Sequence, residues 1–342
     1  MPSAQLAKGL MKTPQSLLPD ARTLAAGLAA GILGKRPDGR MTILGRKPPF
    51  MMSTFPNEVV TCRLPGGEKQ RVFIKYEGGC SHNSFGHRGG IGYEAEVYRR
   101  LLQRLPDFRP RFLGSHVDGE SGGTWLFLEY VDGAVRVRDI GLNARRSGPP
   151  PLLEVARWIG RFHRAHEAPA AAGEFPFVHR YDAAYYRGWA RRTSEFARPL
   201  QARFPWLGRL RWRSGRWMAP LLEASPTVIH GEFYARTVLT RGRRLYCVDW
   251  ESAAVGAGEI DLAALTEGRG WPRELVGQCE RAYESARWPG EAPSNFRRTL
   301  DSARLYLQFR WLGERPDWTM DPKNLWRFRE LRTLAERLTM MD

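Results

Sequence analysis

Cysteine is scarce in this chain of 342 residues: Cys62, Cys80, Cys247 and Cys279 lie far apart, with no Cys-x-x-Cys spacing. That pattern excludes a disulfide framework and a zinc knuckle and fits a reducing compartment, so a cytoplasmic location is expected. Long apolar runs are missing too. The best candidate, residues 24–33, is rich in Ala and Gly and preceded by Asp20, short of the roughly 18 residues a membrane span needs. Neither a membrane span nor a secretory signal is expected. No internal repeat and no low-complexity tail is visible, and 42% hydrophobic residues supply ample core for one large or two-lobed domain. Acidic residues are in deficit, 36 against 53 Lys and Arg, which leaves a formal net charge of +17. Such an excess points to an anionic partner unless the arginines are simply solvated.

What the chain does have is one dense stretch. Residues 228–240 end a short apolar run at His230-Gly231-Glu232 and continue through Thr237 to Thr240; a turn on Arg241-Gly242-Arg243 follows, and a second apolar run delivers Asp249 and Glu251. The two apolar runs around a Gly-containing turn predict a β-hairpin. Side chains alternate along a strand, so Asp249 and Glu251 are expected on one face, placed to share a cation.

This stretch resembles the catalytic segment of the aminoglycoside phosphotransferase and choline kinase families, distant relatives of protein kinases. Their pattern is His-Gly-Asp, four residues, Asn, then a hairpin ending in Asp. His230, Gly231 and Asp249 match, whereas Glu232 stands at the base position and Thr237 at the Asn position. The resemblance implies an α+β, two-lobed protein-kinase-like fold: an antiparallel-sheet N-lobe with one helix over residues 41–133, and a mainly helical C-lobe over residues 134–342. A helical extension over residues 1–40 would precede them, read as packed on the main domain rather than on a membrane surface or partner. It further implies ATP and Mg²⁺ as cofactors and transfer of the γ-phosphoryl group to a hydroxyl acceptor. Glu232 and His230 would be catalytic, with Asp249, Thr237 and Glu251 at the metal. Glu232 keeps the carboxylate but lengthens it by one methylene, and Thr237 keeps an oxygen but loses reach.

The rest of the resemblance runs in order along the chain. Residues 72–75 have the form of the kinase strand whose Lys reaches the nucleotide phosphates, which makes Lys75 the phosphate ligand. Its pairing Glu on the next helix is Glu94, with Glu96 the alternative; the two lie about 200° apart round a helix, so only one can face Lys75. The usual Gly-rich loop before that strand is missing, and Ser53 and Thr54 stand in its place as phosphate donors. Six glycines between Gly78 and Gly92, with His82, His87 and Arg88, form either a phosphate-covering loop or a plain surface loop. Glu129 and Tyr130 match the hinge whose backbone binds adenine. Residues 152–166 match the long C-lobe helix, where His163 and His166 lack a visible third metal ligand and read as packed or hydrogen-bonded. Asp261 matches an Asp that braces the catalytic loop.

Between that long helix and the catalytic stretch, residues 180–217 hold ten arginines against Asp182 and Glu195, with Tyr, Phe and Trp interleaved. The family places its acceptor-binding helices here. Charge disfavours a polycationic aminoglycoside and suits an anionic small molecule, saccharide or peptide, bound through Arg191, Arg192, Arg211 and Arg213; nucleic acid is not the expected partner. The plain alternative is that the aromatics are core and the arginines a solvated face. Two functions follow: an ATP-dependent phosphotransferase with Glu232 as base, or a catalytically impaired pseudokinase that acts as a nucleotide-binding or scaffolding module.

Overall fold

The computed structural model describes residues 18–34, 41–48, 55–78, 85–105, 108–140, 151–268 and 270–338, and of residues 104, 211, 212 and 214 the backbone only. Its contacts divide the chain into two units, residues 1–81 with 89–132 and residues 82–88 with 133–342. The short piece between the first unit's segments therefore belongs to the second unit.

In the first unit, five antiparallel strands stand in the order β1-β2-β3-β5-β4: β1 (Thr42–Lys47), β2 (Asn57–Arg63), β3 (Lys69–Tyr76), β4 (Phe112–Val117) and β5 (Thr124–Glu129). Helix α1 (Ala21–Leu28), capped by Asp20, whose carboxylate accepts from the Arg22 and Thr23 amides, is followed by a wider turn over Ala29–Leu33. Leu24 and Leu28, one turn apart, join Val72, Ile74, Tyr76, Trp125 and Phe127 in one apolar cluster. The period of two along β3 sends Val72, Ile74 and Tyr76 into that cluster and turns Lys75 the other way, towards α2 (Gly90–Glu96). The amphipathic helix expected near residues 93–102 is α2 continued by a wider turn over Val97–Leu101.

The second unit is mainly helical: α3 (Pro151–Ala171), α4 (Ala183–Phe196), α5 (Leu207–Trp212), α6 (Ser214–Glu223), α7 (Glu259–Leu265), α8 (Arg273–Arg287), α9 (Phe296–Glu314), α10 (Pro316–Met320) and α11 (Leu325–Arg337). Helix α9 is buried on most of its circumference by α4, α6, α7 and α11. Two small sheets carry the polar loop. One combines β6 (Val135–Arg136), β9 (Val238–Arg241) and β10 (Arg244–Cys247); the other combines β7 (His179–Arg180), β8 (Pro226–Ile229) and β11 (Ala254–Ala257). The expected hairpin is present, with Thr240 opposite Leu245 and Val238 opposite Cys247.

The expectation that Asp249 and Glu251 share a strand face is corrected by the structure. β10 ends at Cys247, Asp249 takes a left-handed conformation (φ 67°, ψ 57°) and Trp250–Ser252 forms a single tight helical turn. The cause is Trp250, buried with its indole N–H donating to the Cys247 carbonyl at 3.2 Å, which curls the chain off the ladder.

Candidate active site

The first unit holds an ion pair. Lys75 Nζ lies 2.8 Å from Glu94 Oε2, with both side chains almost wholly shielded. Glu96 turns outward and binds Arg99, so the helix period selects Glu94. At the end of β5 the Glu129 amide donates to the Arg111 carbonyl, the Arg111 amide donates to the Glu129 carboxylate, and the Tyr130 ring lies under Arg71. Ser53 and Thr54 lie outside the described residues, as do residues 79–84 of the glycine-rich segment.

The second unit, taken by itself, holds the loop after β8. The His230 and Gly231 amides donate to the Asp261 carboxylate at 2.7 and 2.9 Å, and His163 Nε2 stands 3.1 Å from the same group. Asp261 thus braces the loop, and His163 has a hydrogen-bonded rather than a metal-binding place. Gly231 has φ 78°, and a Cβ there would meet the Ser252 carbonyl oxygen at 2.2 Å, so only glycine suits this turn. His230 points inward: Nε2 lies 2.9 Å from the Val248 carbonyl, and Nδ1 accepts from the Glu232 amide at 3.3 Å. The Thr237 hydroxyl donates within the loop, to the carbonyls of Glu232 and Tyr234 at 3.0 and 2.9 Å.

Glu232 sits in a buried charge cluster that the sequence did not announce. Oε1 accepts from Arg88 at 3.1 Å and from Arg310 at 3.2 Å, and Oε2 accepts from Arg88 at 3.3 Å and from the Ser252 hydroxyl at 3.3 Å. Arg88 also binds Glu251 at 3.2 Å and Glu314 at 3.1 Å, while Arg310 reaches the Tyr234 hydroxyl. Burial opposes ionisation of Glu232, but the charges of Arg88 and Arg310 outweigh it and hold the carboxyl well below its usual range. Burial likewise opposes the charge on Arg88, and Glu232, Glu314 and Glu251 more than offset it. Both groups are therefore ionised at neutral pH. His87 and Arg88, which the sequence placed in either a phosphate-covering loop or a plain surface loop, here face carboxylates.

Arg310 and Glu314 carry no motif, yet a signal existed: an Arg inside the apolar run from Leu305 to Leu312, with a Glu one helical turn on. Of the candidate acceptor arginines, the neighbours Arg191 and Arg192 have different surroundings. Arg191 is exposed, 3.7 Å from Glu195. Its neighbour Arg192 donates to the Gly313 carbonyl at 2.9 Å and lies over the rings of Phe85, Trp189 and Phe196. Arg213 is half-buried, and the Arg211 side chain is outside the described part. Tyr181, Tyr186, Trp189, Trp206 and Trp217 are buried, so these interleaved aromatics are core.

No protein-family model and no curated protein matches the sequence. Solved structures do match. A choline/ethanolamine kinase family protein from Mesorhizobium loti aligns over 94% of this chain and 97% of its own, with a TM-score of 0.55 at 17% identity. The chain has the choline kinase and aminoglycoside phosphotransferase fold. A choline kinase from Cryptosporidium parvum shares it (TM-score 0.55, 15% identity, 87% of this chain and 90% of that one). So does a macrolide 2'-phosphotransferase from Brachybacterium faecium (TM-score 0.51, 19% identity, 86% and 94%).

From the sequence a nucleotide and Mg²⁺ are expected, and the residues fit them unequally. A buried, carboxylate-oriented Lys75 suits phosphate oxygens. The expected metal set is less well assembled: Glu251 is tied to Arg88 and the Thr237 hydroxyl to two carbonyls. Among the described residues no group of three His, Cys, Asp or Glu is arranged to hold a metal ion. Asp249, the remaining member of that expected set, is half-buried.

Proposed function

We propose that the protein is a kinase-type phosphotransferase that moves the γ-phosphoryl group of ATP to a hydroxyl of a small acceptor. The observation that carries this reading is the buried Lys75–Glu94 pair at 2.8 Å, because a shielded ammonium held in place by one carboxylate is what nucleotide phosphates require. Mg²⁺, held by Asp249, would neutralise phosphate charge. Glu232, ionised and fixed by two guanidiniums, would accept a hydrogen bond from the acceptor hydroxyl and orient it. His230 would act through the loop, by fixing the Glu232 amide. The arginine excess over residues 180–217 favours an anionic acceptor, whether a small molecule, a saccharide or a peptide. Cys62, Cys247 and Cys279 are buried and form no disulfide, which fits a reducing compartment such as the cytoplasm.

A second reading is favoured by one observation: Arg88 and Arg310 already occupy Glu232, as a catalytically impaired nucleotide-binding module would have it. The two part on turnover. Titration with Mg-ATP, followed by phosphate incorporation from labelled ATP across sugars, amino alcohols and acidic peptides, is the test. Lys75→Ala is expected to weaken Mg-ATP binding by ~10-fold or more, about 1.4 kcal/mol, and Asp249→Ala to weaken its metal-dependent part. Unchanged affinity in both variants overturns nucleotide binding; binding without turnover of any acceptor favours the second reading.

A further inference from the structure

Helices α3 and α8 run side by side, and Gly160 sets how close they come. A Cβ on it would stand 2.7 Å from the Tyr283 carbonyl oxygen and 3.0 Å from the Ala286 methyl. Along this seam lies an open groove of about 670 Å³, lined by Arg157, Arg161 and Arg164 of α3 and Arg281 of α8 among smaller polar and apolar side chains. It shares no lining residue with the loop around Glu232. The spacing of four and three places the α3 arginines on one helical face, an arrangement of like charges that is unfavourable in a helix.

Carboxylates on the same two helices do not relieve it. Glu154 binds Arg157, Glu167 binds the buried Arg287, Glu280 and Glu284 bind Arg297, and Glu274 accepts from Gln278. Among the described residues, no ion pair reaches Arg161, Arg164 or Arg281, all three exposed. The acids on these helices pair elsewhere, while Arg161, Arg164 and Arg281 line one groove.

We propose that this groove is an anion site for a small ligand carrying two or more phosphoryl groups. Guanidinium forks bind phosphate oxygens in pairs, and the groove volume is that of small-ligand pockets. Two anionic groups are needed because the arginines stand on two walls: Arg161 and Arg164 on one, Arg281 on the other.

The test is calorimetric titration of the full chain with tripolyphosphate at low and at physiological salt. The groove variant is R161E/R164E/R281E. Its control, R63E/R243E/R329E, makes the same charge change at exposed sites elsewhere. Lys75→Ala separates the groove from the candidate nucleotide site. The groove variant is expected to lose ~10-fold or more in affinity, while the control and Lys75→Ala keep the groove component. Arg281→Gln alone carries the test where the triple variant does not fold. Absence of binding by the wild type, equal loss in the control, or loss confined to Lys75→Ala overturns the proposal. Tighter binding of RNA than of tripolyphosphate, with the same arginine dependence, also overturns it, since the site would then be a polyanion surface.

Discussion

At the scale of single residues, Glu232 and its partners decide most. Glu232→Gln keeps the shape and removes the charge, leaving Arg88 and Arg310 buried without one shared counter-ion. Breaking a buried pair in this way costs about 3–5 kcal/mol, so urea unfolding at neutral pH should show a loss of that order, together with loss of any phosphotransfer. Glu232→Asp restores the family residue but withdraws the carboxylate by one methylene from both guanidiniums. It is therefore expected to lower activity, and a tenfold gain in kcat would instead mark Glu232 as an impairment. His87 gives the pH dependence. Burial first, then the charges of Arg310 and Arg88, lower its pKa from the usual 6.5 to about 4. The unfolded chain takes up this proton first as pH falls, so the contribution of neutral His87 is complete above about pH 6.5 and is lost on descent towards pH 4. The stability difference between wild type and His87→Gln should drift across that window in urea midpoints, and a flat difference would remove His87 from the account.

At the scale of elements, the loop is held by a helix it does not belong to. Asp261 lies in α7 and takes the His230 and Gly231 amides, so Asp261→Asn turns one acceptor into a donor facing an N–H. With the loop misplaced by ~1 Å a rate loss of about 10²-fold is expected, while Mg-ATP affinity, assigned to Lys75, stays unchanged; a rise in KM for ATP with kcat intact would contradict this. Helix α4 shows the same division of labour. Arg192 accommodates the end of α9 and covers three rings, whereas Arg191 stands in solvent. Arg192→Ala should lower the unfolding midpoint measurably, and Arg191→Ala should leave stability within about 0.5 kcal/mol.

At the scale of the whole molecule, two cores are built from one chain, and each holds reporter thiols. Cys62 is buried in the first unit and Cys247 and Cys279 in the second. Thiol labelling in rising urea, read by mass spectrometry, should expose Cys247 and Cys279 at a common midpoint and Cys62 at its own. Coincidence of all three would show a single cooperative unit. Charge also acts at this scale: much of the basic excess lies on the surface, yet Arg88, Arg287 and Arg310 are inside and balanced by carboxylates. Net charge alone therefore misdescribes what the arginines do.

Local pattern was enough for several of the elements, and the family resemblance supplied the candidate site residues. The Gly-containing turn fixed the hairpin and helix period limited the partner of Lys75 to one of Glu94 and Glu96, because each depends on neighbours a few positions away; the resemblance named Glu94, and the structure shows that pair. The neighbours of Glu232 were beyond such reading: Arg88 lies 144 positions before it and Arg310 lies 78 after it. Contacts at those separations leave no periodic trace in the chain. The left-handed turn at Asp249 was equally hidden, since it follows from where the Trp250 ring finds a buried place. The sequence by itself determined strands, helices and the order of the loop residues; only the packing of α9 and of residues 85–88 on the second unit decided which charges meet Glu232, because burial makes each ion's partner a matter of three-dimensional proximity.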